Sequence, residues 1–254
     1  MSPRNSSLGP AAEKSRRHVY GRTKGKSLRS HQAGLMEVLY PRISIPPKGD
    51  AGEVLDPASL FQSVREVWLE IGFGGGEHLA HQATLHPDIG IIGCEPFING
   101  VAKLVAEIDR QGHENIRILN DDARFLLDRL APASLSRIIV LYPDPWPKKR
   151  HNKRRFINQE TLGLMASALA PGGEWQFASD IPDYISWTLA HVERFNRENG
   201  ETFIWTAENA ADWKTPYENW PGTRYEAKAI REGRTPTYLR FRRAPCALGI
   251  KEAI

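Results

Sequence analysis

One aspartate and one tryptophan sit among three prolines in Pro143-Asp144-Pro145-Trp146-Pro147. The run leads directly into Lys148-Lys149-Arg150-His151-Asn152-Lys153-Arg154-Arg155, six cations in eight residues. A fixed carboxylate, a flat indole and a block of phosphate-seeking charge suit a site that grips nucleic acid and acts on one base. Prolines stiffen such a turn. The apolar run Ile138-Ile139-Val140-Leu141 just before it reads as a buried strand. That puts the turn at a strand's C-terminal edge, where open α/β sheets hold their ligands. The competing reading is a Pro-rich loop before a solvated basic helix start.

A second chemical signal is Glu70-Ile71-Gly72-Phe73-Gly74-Gly75-Gly76-Glu77. Glycines between a strand and its helix let the backbone turn tightly and approach a ligand. On its own this turn suits NAD, FAD, S-adenosylmethionine or no ligand at all. Carboxylates narrow the choice. Glu95 lies about twenty residues past the glycines, where a carboxylate accepts from both hydroxyls of a ribose. Glu70 precedes the glycines and is expected to face the same crevice. It would repel a pyrophosphate and attract a cationic sulfonium and ammonium. Asp121-Asp122-Ala123 ends a third strand, where an acid can accept from an adenine amino group. Acids at three successive strand ends favour S-adenosylmethionine over NAD.

These residues need a scaffold, and the pattern supplies one. Strands are expected at 67–71, 89–94, 116–119, 136–142 and 174–178, with later ones near 202–206 and 236–243. Helices are expected at 76–86, 97–111, 123–130, 157–169 and 182–198. In 97–111, Ile98, Val101, Leu104, Val105 and Ile108 fall on one face. Pro171-Gly172-Gly173 is expected to end the fourth of these helices. Strict alternation of strand and helix means an α/β fold with a doubly wound, mostly parallel sheet, in a single domain.

The chain has 254 residues and 41% hydrophobic composition, enough for one sizeable core. No apolar run approaches the ~20 residues of a membrane helix. Cys94 and Cys246 are the two cysteines, far apart and without metal-ligand spacing, and the eight histidines are scattered. No metal site is expected, and a reducing, cytoplasmic setting is. Net charge is +4, but residues 1–48 hold ten Lys/Arg against two Glu. With 148–155, that leaves an acidic body carrying two basic segments, which suits an anionic polymer. Residues 1–45 read as an irregular, disordered basic arm, and 46–254 as the catalytic domain. The arm lacks the apolar core of a secretory signal. An Arg- and Ser-rich transit peptide competes, without the amphipathic pattern it would need.

The chain resembles the bacterial tRNA (guanine-N7-)-methyltransferase family over residues 35–243. The likeness runs through Glu70-Ile-Gly-Phe-Gly-Gly-Gly, Gly93-Cys-Glu95 and Asp122-Ala123. It continues through Tyr142-Pro-Asp-Pro-Trp-Pro-Lys-Lys-Arg-His, Ser179-Asp180, and Thr223-Arg224-Tyr225-Glu226 with Lys228. The Pro-Asp-Pro-Trp-Pro-Lys run is its specific part. The resemblance implies a Rossmann-like seven-stranded sheet with an antiparallel edge strand. It implies methyl transfer from S-adenosylmethionine to N7 of guanine at position 46, in the variable loop of tRNA. Cofactor contacts would fall on Glu70, Gly72, Gly74, Gly76, Glu95, Asp122 and Asp144. Substrate contacts would fall on Lys148, Asp180, Thr223, Arg224, Tyr225 and Glu226. RNA contacts would fall on Lys149, Arg150, His151, Asn152, Lys153, Arg154 and Arg155. tRNA is the expected partner, with no membrane and no obligatory protein partner. The doubled Asp121-Asp122 leaves two acids for the adenine, and the long arm has no firm counterpart.

Guanine N7 carries a lone pair and no proton, so its methylation needs positioning rather than a general base. Asp144 is the expected catalytic residue, positioning the base above all and also holding negative charge where positive charge migrates. A second carboxylate can take the N1–H and N2–H₂ donors of guanine together. Asp180 and Glu226 both suit that task. Their competing roles are a helix N-cap and a surface ion pair with Lys228 or Arg224. Trp146 suits stacking on an extruded base, or packing beneath the loop. An exocyclic-amine methyltransferase is the nearest rival, since Asp144-Pro145-Trp146 is similar to the Asp-Pro-Pro-aromatic loop of those enzymes. A non-catalytic RNA-binding subunit is the rival from another class.

Overall fold

Apolar runs flanked by turn residues build the sheet of the computed structural model, which describes residues 20–46 and 53–245. Two short helices, α1 (Ser30–Val38) and α2 (Tyr40–Ile43), come first. The chain then alternates: β1 (Glu66–Ile71), α3 (Glu77–Leu85), β2 (Ile89–Cys94), α4 (Ile98–Gln111), β3 (Ile116–Leu119), α5 (Ala123–Leu127) and β4 (Leu135–Leu141). After a 3-10 segment, Lys149–Arg154, come α6 (Gln159–Ala168), β5 (Leu169–Ser179), α7 (Pro182–Asn199), β6 (Phe203–Trp205), α8 (Arg224–Arg231) and β7 (Thr237–Arg243).

The seven strands lie in the order β3-β2-β1-β4-β5-β7-β6. Strands β1 to β5 are parallel, and β7 runs antiparallel to both β5 and β6 at one edge. Successive side chains of a strand point to opposite faces. Val67, Leu69 and Ile71 therefore pack with Leu126 of α5, Leu162 of α6 and Phe195 of α7. Trp68 packs on the other face, with Leu79 of α3 and Leu104 of α4. The result is a three-layer α/β/α sandwich, with every residue of β2 buried. Strand order reverses between β1 and β4, whose pairing runs up to Ile71 opposite Val140. Their C-terminal ends open the crevice that such a reversal leaves.

Two expectations differ from the structure. Residues 20–45 are not an irregular arm: they contain α1 and α2, Ile43 and Ile45 are buried, and the Ile45 N–H donates to the Ile118 carbonyl at 2.8 Å. The part of the expected arm before residue 20 lies outside the described residues. Pro171-Gly172-Gly173 does not end α6 but lies inside β5. There the register against β4 jumps from Leu169 opposite Leu135 to Glu174 opposite Arg137. A bulge absorbs residues that cannot keep the ladder. Among the described residues, no helix is long and apolar enough to cross a membrane.

Candidate active site

A cavity of about 480 Å³ opens at the reversal point, lined on one side by Gly72, Gly74 and Glu95 and on the other by Tyr142, Asp144 and Trp146. Gly72, Gly74 and Gly76 all take positive φ, of 73°, 60° and 81°. Side-chain-bearing residues rarely adopt that conformation. The turn is pinned by Glu95. Its Oε2 accepts the Gly74 N–H at 2.8 Å, and its Oε1 accepts the Phe97 N–H at 2.9 Å. Gly100 permits the contact of α4 with this turn, because a Cβ there would collide with the Gly74 carbonyl oxygen. Burial raises the Glu95 carboxyl above the ordinary carboxylate range, and the two backbone donors oppose it.

The acids expected around the crevice are not equivalent. Asp121 and Asp122 both line the cavity. Asp122 caps α5, taking the Arg124 N–H at 2.9 Å, and pairs through Oδ2 with the Arg124 guanidinium at 2.6 Å. Asp121 accepts the Asp122 N–H at 2.7 Å through one oxygen. Glu70 lies elsewhere than expected. It is buried beside the cavity, with Oε2 2.7 Å from His78 Nδ1, and borders a smaller cleft with Gly72, Tyr142, Thr223 and Arg224.

Asp144 stands between two residues in left-handed backbone conformation, Tyr142 at φ 48° and Trp146 at φ 42°. Such strain in bulky residues survives only where the surroundings enforce it, as at functional sites. Asp144 is exposed at the cavity mouth, yet the walls remove enough water to raise its carboxyl from the ordinary 3.8. The Tyr142 hydroxyl is buried without a well-formed hydrogen bond, although Tyr238 is near enough to interact with it. The Trp146 ring is half-buried, with the Arg154 guanidinium 4.9 Å from its centroid and His151 edge-on at 6.0 Å.

The cationic run divides. Lys148, Lys149, Arg150 and Lys153 are exposed. Asn152 instead holds the turn: with its amide oriented by the surrounding acceptors, it donates to the Trp146 and Lys148 carbonyls. Arg155 corrects the expectation of an RNA contact. It is 1% exposed. Its Nε donates to the Pro145 carbonyl at 2.8 Å, its Nη2 pairs with Asp183, and its guanidinium lies over the Tyr184 and Trp187 rings. It fastens the Pro-loop to α7.

Two further carboxylates are held differently. Asp180 is not a helix cap; it takes a bond from Arg234 Nε at 2.5 Å. Glu226 is not a surface ion pair; it is buried as the third residue of α8, in a capping box with Thr223. Trp220 Nε1 donates to it at 2.7 Å, and the Tyr238 hydroxyl donates to its other oxygen. The S/T-x-x-E spacing was the sequence signal for this helix start. Arg224 pairs with Glu77 at 2.8 Å, and Tyr225, 54% exposed, lines the cavity. Residues that sequence reasoning missed are Tyr20, Gly21 and Arg22, which line the cavity from the N-terminal side, and Phe97 and Gly100. Among the described residues there is no cluster of His, Cys, Asp and Glu able to hold a metal ion.

A doubly wound sheet with an acid-lined cavity at its reversal point is a Rossmann-like fold, and comparison with known proteins gives its class as methyltransferase. Residues 64–239 match the model of a family described as putative methyltransferase. A tRNA (guanine-N(7)-)-methyltransferase of Azorhizobium caulinodans is 53% identical over 88% of this chain and 94% of its own length. Another, from Rhizobium meliloti, is 52% identical over 89% and 94%. The chain belongs to the tRNA (guanine-N(7)-)-methyltransferase family. In fold it is also similar to the crystal structure of the 16S rRNA methyltransferase KamB. The TM-score is 0.52 at 17% identity, covering 76% of this chain and 95% of that one.

Arg155→Ala is expected to lower unfolding free energy by about 2 kcal/mol, from the lost buried hydrogen bonds and ring contacts. Lys149→Ala, on an exposed side chain, should stay within about 0.5 kcal/mol of wild type. Urea unfolding of both variants checks the contrast; equal stabilities would return Arg155 to the solvent-facing set.

Proposed function

We propose that this chain transfers a methyl group from S-adenosylmethionine to N7 of guanine 46 in tRNA, in the cytoplasm. The observation that carries the reading is the Asp144 carboxylate at the cavity mouth, beside the half-buried Trp146 and close in sequence to the exposed Lys148, Lys149, Arg150 and Lys153. The tRNA and the guanine nitrogen come from the names of relatives about half identical to this chain. Position 46 rests on the family resemblance.

The cavity residues fit the cofactor. Glu95 has lone pairs left after its two backbone bonds and would accept from ribose hydroxyls. Gly72 and Gly74 leave room for close approach, and Asp121 and Asp122 would meet the adenine amino group. The buried Tyr142 hydroxyl offers a donor near the methionine end. Glu70, beside the glycine turn, is hydrogen-bonded to His78 behind it. When bound, S-adenosylmethionine supplies an electrophilic methyl group on a sulfonium.

The chain's own residues then do three things. Asp144 presents a fixed negative charge to the positive charge that develops on the base. Trp146 stacks on the base and holds its plane. Asp180 takes the guanine N1–H and N2–H₂ donors. It is freer than Glu226, because Asp180 is paired with one part-exposed guanidinium, whereas the Trp220 and Tyr238 donors fill both oxygens of Glu226. Thr223, Arg224 and Tyr225 complete the substrate wall. Exposed cations of 148–153 hold phosphates, which position the RNA without reading its sequence.

Incubation of unmodified tRNA with labelled S-adenosylmethionine, followed by borohydride and aniline, should cleave the chain at position 46. Label without cleavage would place the methyl on another atom and overturn the reading. A pH series gives a second test. The carboxylate of Asp144 is the useful form, and its pKa is raised because the cavity walls keep water from it. The single-turnover rate should therefore fall with acid at a higher pH than the ordinary 3.8 of an aspartate. Asp144→Asn should be slow and lack that limb; a variant with the wild-type rate and profile would remove Asp144 from the chemistry.

A further inference from the structure

Residues 20–26 cross from one wall of the cavity to the other. On the first wall, Asn99 holds them twice: its Oδ1 accepts the Gly25 N–H at 2.7 Å, and its Nδ2 donates to the Lys26 carbonyl at 2.6 Å. Next to it, the Ile98 N–H donates to the Thr23 carbonyl at 3.0 Å. This bond satisfies one of the free amides that a helix start leaves, and α4 has no side-chain cap of its own. Gly25 is packed tightly, since a Cβ there would lie 2.5 Å from Asn99 Oδ1 and 2.8 Å from the Phe97 ring.

On the second wall, a Cβ at Gly21 would lie 3.5 Å from Asp144 Oδ2. Tyr20 meets the Trp146 ring edge-on at 6.5 Å, and the Arg154 guanidinium lies 5.2 Å from the Tyr20 ring centroid. Tyr20, Gly21 and Arg22 line the cavity. The segment thus joins the loop after β2, which carries Glu95, to the loop after β4, which carries Asp144. Its hold on the first wall is made of neutral hydrogen bonds, two of them on the Asn99 side chain and one on the Ile98 N–H. Such bonds contribute about 1 kcal/mol each, so they can open and close under ordinary conditions.

We propose that residues 20–26 are a strap over the cofactor cavity, that Asn99 is its latch, and that unlatching sets the rate at which cofactor leaves. Asn99 is a positioning residue here: it acts through the strap and not on the reacting atoms. The proposal rests on the assignment of the cavity to S-adenosylmethionine. Arg22, Lys24 and Lys26 are exposed trypsin sites on a docked backbone, which a protease can bind only when it leaves the cavity wall, so their cleavage reads unlatching in the free protein without activity.

The experiment compares full-length wild type, Asn99→Ala, Asn99→Asp and Gly25→Ala. Trypsin cleavage after Arg22, Lys24 and Lys26 is followed by mass spectrometry, and S-adenosylhomocysteine release by stopped-flow tryptophan fluorescence. Asn99→Ala should speed both cleavage and release about thirtyfold, the loss expected from two hydrogen bonds of about 1 kcal/mol each. Asn99→Asp keeps the acceptor for Gly25 and should fall between it and wild type. Gly25→Ala loosens the strap from its own side, without altering α4, and should match Asn99→Ala. Folded variants with wild-type cleavage and release would overturn the latch. Faster cleavage with unchanged release would overturn its control of the cofactor. A wild type that binds no S-adenosylhomocysteine would overturn the cofactor assignment itself, and a latch fault leaves wild-type binding intact.

Discussion

The Glu95 carboxylate takes one backbone N–H from each of two separate elements, Gly74 in the turn after β1 and Phe97 at the start of α4. Everything around the cavity depends on that double grip. The turn after β1 has φ values that its glycines alone make accessible, so it has no stiffness of its own. The start of α4 has no side-chain cap. One buried carboxylate fixes both. Burial raises its pKa, and the two donors offset part of that cost by stabilising the charged form. The same fixed position brings Asn99 under the strap and Gly100 against the Gly74 carbonyl.

The opposite wall is built on a different principle. Asp144 is held by backbone and proline stiffness instead of by hydrogen bonds to its carboxylate. Tyr142 and Trp146 are strained on either side of it, and Arg155 ties the loop to α7 from below. That arrangement leaves the charge of Asp144 available to a ligand. It also explains why a cation in a basic run is buried: the Pro145 carbonyl needs a donor, and Tyr184 and Trp187 offer aromatic faces on α7.

The parallel core was legible because its strands are buried on both faces and therefore read as continuous apolar runs, as in Ile89–Cys94. Helix α4 was legible from its apolar stripe. Helix α1 was not, since none of its residues is buried and no periodicity records its packing. Helix α8 is short and polar, and its only local mark is the capping box Thr223–Glu226. At the site, Glu95 and the Pro-loop stood out by type and spacing. Arg155 could not be told from its cationic neighbours, because what separates it is contact with residues about thirty positions away. Tyr20 to Arg22 had no pattern, since a strap is specified by where it docks.

The central claim is that Glu95 organises a cavity built for S-adenosylmethionine. Isothermal titration of S-adenosylhomocysteine into wild type and Glu95→Ala tests it most directly, with circular dichroism to confirm that the variant is folded. The account predicts clear binding by wild type and a loss of roughly 2–3 kcal/mol in the variant, the cost of removing a charged acceptor. Equal affinity in a folded variant would contradict it.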